Sequence, residues 1–309
     1  MLEGVSRKDL ATRAARMSEA YRAGAASAAA VATRTDVLAY LVARMPATYA
    51  ATAAALDAAR KSLPTFVPAS VLDAGAGPGT ASFAAVDAWP EIEAVTMIDG
   101  SRQLLAAAGD LAGASGYPAL TASQRILADA TRFGRDLPKA DLVLATYFLA
   151  ETGAANLVPT LWQACGGVLV LVEPGTPEGF ARIRDARAAL IAAGAGIAAP
   201  CPHVLPCPIV PPDWCHFAVR LSRSRDHRIA KDAEAPFEDE KFSYVVAVRP
   251  SVELASRQSR VLAPPRTTKA GITLKLCQPD GRIAERLIQR RERANHAAAR
   301  RIRWGGSFS

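Results

Sequence analysis

The side chains of this 309-residue chain best suited to chemistry are its five cysteines, and three of them crowd one stretch. "CPHVLPCPIVPPDWCHF", from Cys201 to Phe217, holds Cys201, Cys207 and Cys215 with two histidines and five prolines in seventeen residues. Proline is excluded from helix interiors and central strands, so this is a rigid, irregular loop that presents thiols repeatedly. A fourth thiol, Cys277, ends the predicted strand "GITLKLC" before a "QPDG" turn, where a ligand can project. Cys165, in "WQACGG", reads instead as a small buried residue. Four thiols so placed point to a metal centre. Zinc sites favour closely spaced C-x2-C knuckles. The wider C-x5-C-x7-C spacing here suits a 4Fe–4S cluster, and spacing alone leaves zinc and the cluster both open. His203 and His216 flank the cysteines as substitute ligands, supporting donors or surface residues.

A second constellation lies upstream. "VLDAGAGPGTAS" sets Asp73, Gly75, Gly77 and Gly79 just after a short apolar strand. Glycines there let backbone amides approach a ligand and turn tightly into a helix. A nicotinamide fingerprint would need Gly or Ala where Thr80 stands, and the lysine of a P-loop is absent. The pattern resembles motif I of class I S-adenosylmethionine-dependent methyltransferases. The resemblance implies that Asp99, ending the second strand in "MIDGS", holds the cofactor's ribose hydroxyls, and that Asp129 in "ILADATRF" meets its adenine amine. Where amino-methylating members carry an Asn/Asp-Pro-Pro-aromatic motif, this chain reads "LATYFLAET": Tyr147 and Phe148 are present, but the Pro-Pro and the preceding amide or acid are not. Glu151 and Glu173 are available as bases, though solvated or structural roles suit them better. No catalytic residue is assigned.

These residues need elements to hold them. Apolar strands "SVLDAGAG", "AVTMID", "QRILAD", "ADLVLATYF" and "GGVLVLVEP" alternate with helical stretches. That rhythm predicts an α/β fold with a doubly wound, mostly parallel sheet of the class I methyltransferase, Rossmann-like type, binding ligands beyond the strands' carboxyl ends. The expected divisions are an N-terminal helical region over 1–65, the S-adenosylmethionine-binding core over 66–200, a cysteine loop and β appendage over 201–280, and a basic C-terminal helix and tail over 281–309. Pro46 is read as breaking the N-terminal helical pattern.

Net charge is +8, and most of the excess sits in the last tenth of the chain: residues 281–309 carry eight arginines against two acids. On one continuous helix, Arg286, Arg290, Arg293, Arg300 and Arg301 fall in an arc of roughly 100°, a stripe able to track phosphates. Trp304 follows as a base-stacking candidate, and Arg220, Arg223, Arg225 and Arg228 form a second basic stretch. No apolar run is long enough for a membrane span, and the acids Glu3 and Asp9 argue against a transit peptide. The expected compartment is the cytoplasm, where thiols stay reduced and clustered cysteines read as ligands before disulfides.

"PGTPEGF", the cysteine segment, "FEDEKFSYVV", "LC" with its following glycine, and "RRERANHAAARRIRWG" occur in that order. Together they resemble the methyltransferase-like proteins of the bacterial and mitochondrial small ribosomal subunit, over residues 65–306. The resemblance implies a methyltransferase-type domain, a 4Fe–4S cluster on Cys201, Cys207, Cys215 and Cys277, and binding to small-subunit rRNA during ribosome assembly and translation. S-adenosylmethionine, if bound, would be structural or regulatory; the alternative is an active rRNA methyltransferase. Four thiolates would close every iron, which argues against radical chemistry. The family's acid after "WG" is replaced by Gly306.

Overall fold

The computed structural model describes residues 2, 4–22, 30–129, 137–152 and 154–309, and their side chains apart from 151, 152 and 154–156. Among them are thirteen strands: β1 (Ser70–Ala74), β2 (Ala94–Asp99), β3 (Gln124–Leu127), β4 (Ala140–Thr146), β5 (Cys165–Pro174), β6 (Gly196–Ala199), β7 (Phe217–Ser222), β8 (Phe237–Val248), β9 (Ser259–Val261), β10 (Arg266–Thr267), β11 (Gly271–Cys277), β12 (Ile283–Gln289) and β13 (Ser307–Phe308). The helices are α1 (Arg7–Arg22), α2 (Arg34–Ala43), α3 (Met45–Ser62), α4 (Thr80–Ala88), α5 (Arg102–Ser115), α6 (Pro118–Thr121), α7 (Leu149–Thr152), α8 (Ala154–Ala164), α9 (Pro177–Ala192), α10 (Arg225–Ala230) and α11 (Arg293–Arg301). None of them is long and apolar enough to cross a membrane.

The main sheet runs β3-β2-β1-β4-β5-β8-β6, with β7 also paired to β8. β1 to β5 are parallel neighbours, and β8 enters antiparallel between β5 and β6. This is the class I methyltransferase-like α/β arrangement. β5 shows why: Val168, Val170 and Val172 enter the core beneath α3 and α4, while Leu169 and Leu171 enter the core beneath α8 and α9. A strand buried on both faces must be apolar throughout. The order in which strands are added reverses between β1 and β4, and the glycine loop sits at that switch.

Three details differ from expectation. Pro46 occupies the first turn of α3, where its missing N–H is no loss; it starts a helix. β7 and β8 lie inside 201–280 yet complete the main sheet, because "SYVVAV" pairs with β5 some seventy residues upstream, as Val172 opposite Tyr244 shows. The basic end of the chain is not one helix. Residues 283–289 form β12, pairing along all of β11, and α11 begins only at Arg293. The five arginines therefore do not share a helical face: Arg286 is on a strand and Arg290 in the following turn. The alternation that buries Ile288 while exposing Leu287 matches a strand pairing, which overrides the local helical pattern.

The second sheet runs β10-β11-β9-β13, with β12 on the free side of β11. Its own small core joins Val261, Ile272, Leu274, Leu276 and Ile288 to Ala299 of α11 and Phe308 of β13.

Candidate functional site

The loop between β6 and β7 carries Cys201, Cys207 and Cys215; β11 delivers Cys277 from the second sheet. All four line one pocket at the seam between the sheets, with Arg187, His203 and Arg260. Burial pushes the Cys277 thiol up to about 12, with Cys201 and Cys207 adding to the rise. Cys215 is pushed well up by burial and then by its three fellow cysteines. Cys201 is also raised by burial, opposed by Arg187 and Arg260. These thiols thus feel one another's charge. Among the described residues, no three His, Cys, Asp or Glu side chains converge as a site for a metal ion.

The pocket's surroundings are strongly built. His203 is buried, its Nδ1 3.2 Å from the Leu205 carbonyl and its Nε2 3.4 Å from Cys277 Sγ. The buried guanidinium of Arg187 donates to the carbonyls of His203 (2.7 Å) and Leu205 (2.9 Å), while its Nε–H has no acceptor among the described residues. Arg260 donates to the carbonyls of Pro200 (2.9 Å) and Gly305 (2.6 Å), tying the loop's start to the chain's end. Ser243 Oγ donates to the Cys215 carbonyl at 2.8 Å. Two buried cations beside four thiols, bonded to backbone carbonyls, call for a counter-charge. Sequence reasoning missed both arginines. The signal for Arg187 was present: it stands in step with Phe180, Ile183 and Leu190, the buried face of α9. His216 lies outside the pocket wall, stacked on Trp214 with centroids 5.0 Å apart.

The second constellation gathers at the ends of β1 and β2. Gly75, Gly77 and Gly79 all adopt left-handed φ. Asp73 is fully buried and accepts from Ser82 N (3.0 Å) and Oγ (2.7 Å), while its Oδ1 has no partner among the described residues. Burial pushes it up to about 7, with Asp99 adding to the rise. Asp99 accepts from Gly77 N (2.8 Å) and Ser101 N (2.7 Å); burial raises it against those bonds. Asp129 is exposed in the loop after β3. The residue types fit a bound S-adenosylmethionine, since carboxylate oxygens keep lone pairs for hydroxyls and Asp73 has an unmatched one. The cradle is nonetheless partly filled by the chain: a Cβ on Gly75 would lie 2.3 Å from the Phe148 ring, whereas on Gly77 it would meet nothing nearer than the Tyr40 hydroxyl at 3.8 Å.

The catalytic position is occupied by structural contacts. Tyr147, at φ 57, donates its hydroxyl to Glu240 at 2.7 Å. Glu173 is buried between Arg182 Nε (2.6 Å) and Leu149 N (3.0 Å). The Glu151 side chain lies outside the described residues.

The basic residues divide. Arg290, Arg293, Arg300 and Arg301 are exposed, and among the described residues none has a carboxylate partner. Arg286 reaches Glu292 at 3.5 Å. The second basic stretch is partly neutralised: Arg220 pairs with Asp239 (2.7 Å) and Arg223 with Glu238 (2.7 Å). Trp304 is half-buried, packed edge-on to His216 at 4.9 Å.

The fold and sites can be set beside known proteins. Human mitochondrial ribosome assembly protein METTL17 is 29% identical over 292 residues, covering 87% of this chain and 61% of that protein. Mitochondrial Rsm22-cox11 tandem protein 2 of Schizosaccharomyces pombe is 26% identical over 337 residues, covering 89% of this chain and 44% of its own. The chain thus spans about six-tenths of the human relative and under half of the fission-yeast one. Among solved structures, magnesium protoporphyrin IX methyltransferase ChlM of Synechocystis PCC 6803 with bound SAH matches at TM-score 0.40 and 17% identity, covering 65% of this chain and 81% of that one. The cytoplasmic expectation is overturned here: the curated relatives and the family model are all described as mitochondrial. The family model described as mitochondrial small ribosomal subunit Rsm22 matches residues 34–309, and the chain belongs to that family.

Proposed function

We propose that the protein is a mitochondrial-type small-subunit ribosome assembly factor that binds rRNA through a basic C-terminal module, held on the methyltransferase-like core by a 4Fe–4S cluster on Cys201, Cys207, Cys215 and Cys277. The observation that carries this reading is that three thiols of the main sheet's loop and one thiol of the second sheet line a single pocket. Arg187 and Arg260, which line the pocket with the four cysteines, would offset the negative charge that thiolate ligands bring. When bound, the cluster would supply folding free energy, because its ligands come from separate segments. His203 would orient Cys277. The rRNA contacts would fall to Arg290, in the turn after β12, and to Arg293, Arg300 and Arg301 on α11, all exposed, with Arg286 the least available.

S-adenosylmethionine would lie over Gly75, Gly77 and Gly79, with Asp99 on its ribose and Asp129 near its adenine. Its role would be structural or regulatory, since Tyr147 and Glu173 are engaged in contacts that a catalytic base would have to abandon.

The test is protein purified without oxygen, as wild type and Cys207→Ser. About four irons and four sulfides per chain, with broad visible absorbance lost in the variant, is the expected result. One zinc and no iron would overturn the cluster. Wild-type protein that co-sediments with small-subunit rRNA, and loses it with Arg300→Gln/Arg301→Gln, supports the partner.

A further inference from the structure

A cleft distinct from the glycine loop opens between α3, the β7–β8 pair and the turn after α11. It measures about 590 Å³, within the range of sites that enclose small organic ligands. Its floor is aromatic, from the buried rings of Phe217, Phe242 and Tyr244. Its rim is cationic: Lys61, Arg257 and Arg303 are all exposed and come from three separate segments. The carboxylate that lines it, Asp57, is engaged by Lys61 at 2.5 Å. Among the described residues, Arg257 and Arg303 have no carboxylate partner. Trp304 forms one wall.

Flat apolar rings and unpaired guanidinium groups together select a planar ring that carries an anionic group. A nucleotide has these parts. Bases of single-stranded RNA are free to leave the stack and lie against aromatic side chains while arginines hold the backbone. We infer that this cleft takes one nucleotide of single-stranded RNA, its base on the aromatic floor beside Trp304 and its phosphate at Arg257 and Arg303. The inference rests on the RNA reading above for its partner, not on the cluster. The same chemistry, base plus phosphate, also describes a free nucleotide, and the experiment separates the two. Cys201, Phe217, Tyr244 and Arg260 line both this cleft and the thiol pocket, so a bound base would lie next to the cysteine centre.

The full chain, purified without oxygen, is titrated with fluorescein-labelled hexauridylate and hexaadenylate, and separately with AMP and UMP by calorimetry. Oligomers carrying 4-thiouridine are cross-linked to locate the contact. The variants are Arg257→Gln/Arg303→Gln at the exposed rim, Trp304→Leu in the wall, and Arg300→Gln/Arg301→Gln on α11 for comparison. The expected result is oligomer binding that the rim variant weakens about tenfold, with cross-links at Arg257, Arg303 or Trp304. The rim variant keeps the argument independent of any misfolding caused by removing the indole. Oligomer binding that the α11 variant weakens and the rim variant leaves intact overturns the cleft while the RNA reading stands. Rim-sensitive binding of AMP or UMP without oligomer binding overturns the RNA occupant and assigns the cleft to a free nucleotide. Binding of neither overturns both.

Discussion

His203 holds its Nε2 3.4 Å from the Sγ of Cys277, linking the cysteine loop to the second sheet across 74 positions of sequence. The same ring presents Nδ1 to the Leu205 carbonyl, and Arg187 grips the carbonyls of His203 and Leu205. One buried arginine therefore sets the backbone turn that aims the imidazole at the thiol.

His203→Phe keeps the ring's bulk and removes both polar contacts. The expected loss is about 1–3 kcal/mol of stability, the range for unmatched buried partners. Urea unfolding checks it; an unchanged midpoint would show that the His203–Cys277 contact carries no stability.

Arg187→Met deletes a buried cation and leaves two carbonyls without donors. A loss of about 3 kcal/mol or more is expected, together with a lower iron content in protein prepared without oxygen. Arg184→Met, one turn away and more exposed, should leave both values near wild type.

Asp73 gives a pH signature of definite sign. Its folded value is pushed up to about 7 by burial, from an ordinary 3.8. A raised carboxyl contributes stability that is fully present below the unfolded value and is lost as pH climbs through the folded one. Asp73→Asn should therefore gain on wild type between about pH 4 and 7, by on the order of 4 kcal/mol at most. Denaturation midpoints at several pH values measure this, and a gap that narrows with rising pH would contradict it.

Gly75 and Gly77 separate steric from conformational cost. Both have left-handed φ. Gly77→Ala should cost about 1 kcal/mol, from φ alone, since the nearest atom to its Cβ would be 3.8 Å away. Gly75→Ala adds collision with the Phe148 ring at 2.3 Å and should cost about 2 kcal/mol more. In the background Phe148→Ala the two costs should converge, and thermal unfolding of the two single glycine variants, Phe148→Ala and the two double variants tests it.

Much of this architecture was legible in the residues. Runs such as "VLVLV" in β5, rich in β-branched residues and preceded by glycines, match strands covered on both faces, and the glycines after β1 mark the switch point. Cys277 was legible because a strand end followed by a turn projects its last side chain. What was hidden depended on distant partners. β8 is an antiparallel insertion whose place is fixed by β5, far upstream. Arg286 reads as helical until β11 claims its strand. Arg220 and Arg223 look free until Asp239 and Glu238 fold back on them. Phe148 looks like a motif aromatic until it lands on Gly75. Arg187 carries a charge that suggests a surface residue, yet its position in α9 belongs to the buried face.

The seam that Cys277 closes has a consequence for synthesis. Every strand of the main sheet lies before residue 249, so a nascent chain can complete that sheet while holding three of the pocket's four thiols. The fourth arrives only with β11. Before that strand emerges, the loop's cysteines face a partner not yet made. A ribosome producing this chain must translate most of the second sheet before the four thiols can meet, which places completion of the thiol pocket late, after every strand of the main sheet has been made.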